Sequence, residues 1–249
     1  MSAAERVIFG FHTVLARLRA DPKSVLEVFL DGSRKDARAR DFAAQVESAG
    51  VRLMRVAADR LEGMAGGGRH QGVVARVAAQ SQKQTLEELL ERLEEMKVPP
   101  LLLVLDGITD PHNLGACLRV ANAAGAHAVI APKDHAAGVN ATVSKVASGA
   151  AEITPYFMVT NLARALADLK DRNIWIVGTD SSAAEDLFSV KNLPASIAWV
   201  MGAEGAGMRR LTRESCDLLV RIPMRGQVES LNASVAAGIC LFESVRRRA

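Results

Sequence analysis

Three stretches of this chain carry residue types that chemistry needs, each placed where an apolar strand runs into a loop. The first is Asp106–Gly107–Ile108–Thr109–Asp110–Pro111–His112–Asn113–Leu114–Gly115, leading on to Arg119. The second is Met201–Gly202–Ala203–Glu204–Gly205–Ala206–Gly207–Met208. The third runs from Ile222–Pro223–Met224 to Ser230–Leu231–Asn232–Ala233–Ser234. Asn113 and Arg119 share one helix, Asn113 in its first turn, and helix amides with an Arg can receive a phosphate or carboxylate. A capping Asn beside a surface Arg is the plainer alternative. The glycines at 202, 205 and 207 let backbone approach a ligand closely; a tight structural turn also needs them. Ser230, Asn232 and Ser234 could form a polar cluster or cap the helix they open.

Other chemistries find no support. The glycine spacing is GxxGxG rather than GxGxxG, and no GxxxxGK[ST] occurs, so dinucleotide and P-loop readings fail. No GxSxG elbow is present. The five histidines show no HxxxH or HExxH spacing, so no metal is expected. Cys117, Cys216 and Cys240 are odd in number and widely spaced, against a disulfide framework and in keeping with a reducing cytoplasm. The longest apolar run, Val98–Leu105, is too short to span a bilayer, and MSAAERVIFG lacks a secretory signal's apolar core. We therefore expect a cytoplasmic protein with no membrane partner.

The elements that must hold these loops follow from the hydrophobic pattern. From residue 101 onward, apolar strands (Leu101–Leu105, Ala128–Ala131, Phe157–Val159, Ile174–Val177, Ile197–Met201, Leu218–Ile222) alternate with helices, the last over Leu231–Arg246. That predicts a parallel sheet covered on both faces, with ligands at the carboxyl ends of the strands. Residues 1–78 read as a separate small α/β unit. Within it, Asp59 is a candidate helix cap and Ala65–Gly72 reads as a flexible loop; Asn161 is a candidate cap farther on. Residues 79–98 read as a linker entering an amphipathic helix that ends at Pro99–Pro100. Residues 99–249 form the second domain. Net charge is +3 over 249 residues, but residues 1–79 alone hold 13 Lys and Arg against 9 Asp and Glu. Eleven of those 13 cations are Arg, whose planar fork suits phosphate. With 4% aromatic residues, a stacked-aromatic grip on single-stranded nucleic acid is disfavoured.

Taken in order and spacing, the three stretches resemble the three signature motifs of the SpoU (TrmH-like) branch of the SPOUT RNA methyltransferases. Motif one is Asp110–Arg119, motif two Val200–Met208, and motif three Ile222–Met224 with Ser230–Ala236. Gly10–Phe11–His12–Thr13–Val14 and His70–Gln71–Gly72–Val73–Val74–Ala75 are similar to that branch's small RNA-binding domain. The resemblance implies an α/β fold: a parallel-sheet methyltransferase domain with a C-terminal trefoil knot, preceded by a small α/β RNA-binding domain. It implies S-adenosylmethionine as methyl donor and a homodimer through the methyltransferase domain. The implied reaction is methyl transfer to the ribose 2′-hydroxyl of a guanosine in 23S rRNA. A tRNA 2′-O-methyltransferase of the same branch, or a catalytically silent RNA-binding dimer, are the alternatives. By motif position, Gly202, Ile222 and Leu231 would hold the cofactor, and Asn113, Arg119, Glu204, Ser230 and Asn232 would form the catalytic cluster.

Overall fold

The computed structural model describes residues 5–78 and 84–248. The chain divides into two compact units. The first lies within Met1–Lys83 and also takes in Val139–Ile153; the second comprises Gln84–Gly138 and Thr154–Ala249. Residues 79–83 of the expected linker fall outside the described residues.

The first unit alternates β1 (Glu5–Phe9), α1 (Phe11–Ala20), β2 (Val25–Asp31), α2 (Ala37–Ser48), β3 (Leu53–Val56), α3 (Ala58–Ala65) and β4 (Val73–Ala78). Its sheet has the order β1-β4-β2-β3, with β4 antiparallel to both neighbours and β2 parallel to β3. Ile8, Val14, Val28, Leu30, Phe42 and Val77 are buried in one core. Asp36 caps α2 by accepting from the Ala39 amide at 3.1 Å. Asp59, expected to cap α3, lies inside its first turn instead. The glycine-rich stretch before β4, expected to be a flexible loop, is tied down: Arg34 donates to the Gln71 carbonyl at 2.6 Å, and the Gly72 amide to His70 Nδ1 at 3.1 Å.

The second unit opens with α4 (Leu86–Glu95), β5 (Leu101–Asp106), α5 (Pro111–Ala123) and β6 (Ala128–Pro132). The chain then returns to the first unit, where α6 (Ala141–Val146) packs with β1. Glu152, a few residues beyond α6, has a side chain wholly removed from solvent. It accepts from Arg6 at 2.5 Å and lies 3.5 Å from Arg17, which is itself buried. A buried carboxylate needs such partners, because its desolvation costs several kcal/mol.

From Thr154 the second unit resumes with β7 (Tyr156–Val159), α7 (Leu162–Asp171), β8 (Trp175–Thr179), β9 (Glu185–Asp186), β10 (Ile197–Gly202), α8 (Arg210–Glu214), β11 (Leu218–Arg221) and α9 (Ala233–Arg248). Its seven-stranded sheet runs β7-β6-β5-β10-β8-β11-β9, and every pairing is parallel. β5 is buried at all six positions, as a strand covered on both faces must be. Leu102, Val104, Ile130, Leu166, Ile176 and Val200 share one core. On the same strand as Val200, the buried Trp199 donates its indole N–H to Ser244 of α9 at 2.8 Å. The strands expected in this half all occur, with ends shifted by one or two residues; β9, at two residues, is too short for the hydrophobic pattern to reveal. Among the described residues, no helix is long and apolar enough to cross a membrane, and no group of His, Cys, Asp and Glu could hold a metal ion.

Candidate active site at the carboxyl edge of the parallel sheet

β5 and β10 are adjacent and in register, so Asp106 stands opposite Gly202. The loops that follow these two strands therefore leave the sheet side by side. Gly107, at φ +83°, turns the first loop, and a Cβ there would lie 3.4 Å from Ala203 of the second. Asp110 then starts α5, accepting from the amides of His112 at 3.2 Å and Asn113 at 3.1 Å. Pro111 occupies the first helical position, where no amide is missed. Because Asp110 does the capping, the Asn113 side chain is free for other work.

That side chain donates to Glu204 Oε1 at 3.1 Å. Asn232 Nδ2 donates to the same oxygen at 2.7 Å and to Asn113 Oδ1 at 2.8 Å. The Ala233 amide is 3.2 Å from it as well. One carboxylate oxygen thus gathers residues from all three sequence motifs, while Oε2 has no hydrogen-bond partner among the described residues. The other end of the Asn232 amide caps α9, accepting from the amide of Ser234 at 2.9 Å and from its hydroxyl at 2.6 Å. Capping and cluster formation, alternatives on sequence grounds, are done by one residue.

Beside the cluster lies a cavity of about 550 Å³. Gly202, Ile222 and Leu231 all line it, as do Glu204 and Ser230. Its volume is within the range of small-ligand pockets. Gly205 and Gly207, at φ +77° and +69°, face open space. Gly202 is different: a Cβ there would fall 2.2 Å from the Gly207 carbonyl carbon and 2.3 Å from the Met208 amide. What excludes a side chain at this position is the return of its own loop, held by the paired Ala203 and Gly207, rather than the approach of a ligand.

Arg119 is not brought to the cluster. It is exposed on α5 and has no hydrogen-bond or ion-pair partner among the described residues. Six residues place it about 9 Å along the helix from Asn113 and roughly 120° around it. Ser230 lines the cavity, and its side chain makes no hydrogen bond among the described residues.

Two ion pairs at this edge escape sequence reasoning. Asp106, whose side chain is fully buried, accepts from the Arg209 amide at 2.8 Å and from Arg209 Nε at 2.6 Å. The sequence signal is an acidic residue closing an otherwise all-apolar strand. In the cavity wall, Arg213 Nε donates to Asp180 at 2.7 Å, and Ser182 donates to the same carboxylate through amide and hydroxyl. The Ser182 hydrogen bonds, with Arg213 beside them, hold the Asp180 carboxyl below the usual range. The cysteines are poor nucleophiles: burial pushes the Cys117 and Cys216 thiols up to about 12 and Cys240 higher still.

Comparison with known proteins agrees with this geometry. Residues 100–242 match the model of the SpoU rRNA methylase family, and residues 7–83 match that of the RNA 2′-O ribose methyltransferase substrate-binding domain. A Ralstonia nicotianae protein named 23S rRNA (guanosine-2′-O-)-methyltransferase RlmB is 59% identical over 98% of this chain and 96% of its own. The Neisseria meningitidis protein of that name is 57% identical over 99% of this chain and 97% of its own. Among solved structures, the SpoU methyltransferase AviRb from Streptomyces viridochromogenes, in complex with the cofactor AdoMet, superposes with a TM-score of 0.77. That match is 27% identical and covers 99% of this chain and 91% of that one. A crystal structure of an RNA 2′-O ribose methyltransferase reaches a TM-score of 0.80 at 27% identity, over 99% and 90% of the two chains. Matched through both of its halves, with its three motifs joined at Glu204, the chain belongs to the SpoU rRNA methylase family.

Proposed function

We propose that this protein methylates the ribose 2′-hydroxyl of a guanosine in 23S rRNA, using S-adenosylmethionine. The observation that carries the reading is the convergence of Asn113, Asn232 and the Ala233 amide on Glu204 Oε1, against a cavity lined by Gly202, Ile222 and Leu231. The shared name of the full-length relatives supports the substrate.

The cavity fits the cofactor. Its volume suits a nucleoside-sized ligand, and the bare backbone at Gly207 leaves space beside it. Gly202, Ile222 and Leu231 would hold the adenosine. When bound, S-adenosylmethionine supplies an electrophilic sulfonium methyl. The chain's own task would then be to hold the ribose 2′-hydroxyl in line with that methyl, because such a transfer depends on alignment more than on activation. In our reading Glu204 orders the three motifs, Asn113 and Asn232 fix the position of the ribose, and Ser230 borders it. Arg119, whose planar fork suits phosphate oxygens, acts by drawing in an RNA phosphate.

The Arg-rich residues 1–78 form the RNA-binding part and residues 99–249 the methyltransferase. We further propose a homodimer through the second part. On α9, Val235 and Phe242 are 50% and 46% exposed, and seven residues apart they share one face. The family implies a trefoil knot in this second part, whose sheet seats β10 between β5 and β8. The protein acts in the cytoplasm, where its rRNA is. Transfer of tritium from labelled S-adenosylmethionine to 23S rRNA, with mapping of the methylated ribose, tests the activity. Label on tRNA alone, or none, overturns it.

A further inference from the structure

We propose that Arg209 grips a phosphodiester of the RNA substrate, and that Asp106 is the positioning residue that aims it; this rests on the rRNA methyl-transfer reading above. Asp106 ends β5 at the edge where the three loops meet, and its carboxylate is wholly buried. A carboxylate in that position is costly unless its charge is met. Both of its oxygens are used on one residue: Oδ2 accepts the Arg209 amide and Oδ1 accepts Nε. The backbone and the side chain of Arg209 are thus fixed together.

The guanidinium is bound at one edge only. Of its five N–H donors, Nε is engaged, and the four on the terminal nitrogens have no partner among the described residues. The side chain is 49% exposed. A residue serving only to staple the loop would be complete with the amide and Nε bonds. Here a rigid fork remains, with its outer donors facing solvent at the carboxyl edge of the sheet, where substrates of such sheets bind.

A planar fork with paired N–H groups matches phosphate and carboxylate oxygens alike. The cofactor's carboxylate is therefore the competing source. Arg213, not Arg209, contributes to the wall of the cavity. Arg209 is outside it, on the side of the motif-one loop, and so we assign it to RNA.

The test measures binding of a 23S rRNA transcript against salt, alongside methyl transfer and calorimetric affinity for S-adenosylmethionine. Arg209→Gln should weaken RNA binding roughly ten- to a hundredfold at low salt. It should also flatten the slope of log affinity against log salt by about one, the signature of a lost phosphate contact. Cofactor affinity should stay within about twofold. Arg209→Lys should keep the slope but lose turnover, since an ammonium cannot bridge Asp106 and a phosphate together. Asp106→Asn should also keep the slope while lowering kcat, because an amide cannot accept from both donors. An unchanged slope in Arg209→Gln overturns the proposal, and so does a loss of cofactor affinity matching the loss of RNA affinity. Should Arg209→Gln fail to fold, a salt slope in Arg209→Lys flattened like a lost contact overturns it instead. Because the slope is read from binding, it decides the matter even for a wild type that transfers no methyl group; that outcome would sink the methyl-transfer reading alone.

Discussion

Asn232 Nδ2 and Glu204 Oε1 meet at 2.7 Å across 28 residues of sequence, while Asn232 Oδ1 caps the helix that Asn232 opens. The two ends of this one amide can be separated by mutation. Asn232→Asp keeps an oxygen for the cap, and Asp caps helices well. It replaces the donor toward Glu204 with a second carboxylate oxygen, and like charges at that distance repel. We expect single-turnover methyl transfer to fall by about a hundredfold, the scale of a positioned catalytic group, with little change in thermal midpoint. A variant that loses its fold in step with its activity would show that the Asn232–Glu204 bond holds the loops together and has no separate part in methyl transfer.

Gly202 and Gly205 make a matched pair of opposite kinds. At Gly202 a methyl group would collide with the backbone of Gly207 and Met208, whereas at Gly205 it would meet nothing within 4 Å. Gly202→Ala must therefore displace the loop that borders the cavity, and we expect S-adenosylmethionine affinity to weaken at least about tenfold, as backbone placement there sets the pocket. Gly205→Ala, at φ +77°, should cost about 1 kcal/mol in left-handed strain and leave calorimetric affinity near normal. Equal effects at both positions would contradict this account.

The sheet was legible because a parallel strand covered on both faces is apolar throughout, as Leu101–Leu105 is. Asn161 was legible as a cap and accepts from the Arg164 amide at 3.0 Å. The three motif loops were legible as a group through their order and spacing. Their junction at Glu204 was not, because local pattern carries no information about which strands become neighbours. The same holds for Val139–Ile153: nothing in it announces that Glu152 will be buried against Arg6 and Arg17, more than a hundred residues away. The reason for Gly202 was also hidden, since a glycine spared for a ligand and one spared for its own loop look alike in sequence.

Arg119 is exposed and makes no hydrogen bond or ion pair among the described residues, so its removal is a clean experiment. Surface substitutions of this kind change stability by no more than about 0.5 kcal/mol. Arg119→Ala should melt like wild type and bind S-adenosylmethionine normally, yet lose about a hundredfold in single-turnover rate. Arg119→Lys should recover part of that loss if the role is attraction of phosphate, because a point charge still serves. Methylation of rRNA by Arg119→Ala at close to the wild-type rate would remove the residue from the mechanism.

Glu243 gives α9 a defined response to acid. Its carboxylate accepts from Arg246 Nε and Nη2 at 2.8 Å each and from Arg247 Nε at 2.6 Å. Those hydrogen bonds, first from Arg246 and then from Arg247, outweigh its burial and lower its pKa from 4.5 to about 2. In the unfolded chain the group takes up a proton near its ordinary pKa, while in the folded chain it resists until about pH 2. The unfolded state therefore binds more protons in that interval, and stability rises with pH across it. The contribution is fully present above about pH 4.5 and is lost as pH falls toward 2. Glu243→Gln cannot titrate, so it lacks this part of the acid limb. We expect the variant to melt roughly 2–6 °C below wild type at about pH 7, from the loss of charge-assisted bonds in a chain of this size. The gap should narrow steadily between pH 4.5 and 2, as protonation of the wild-type carboxyl removes the same bonds. Thermal midpoints measured by circular dichroism over that range decide it, and a gap that stays constant with pH would mean that the Glu243 carboxyl has the same pKa in the folded and unfolded chain.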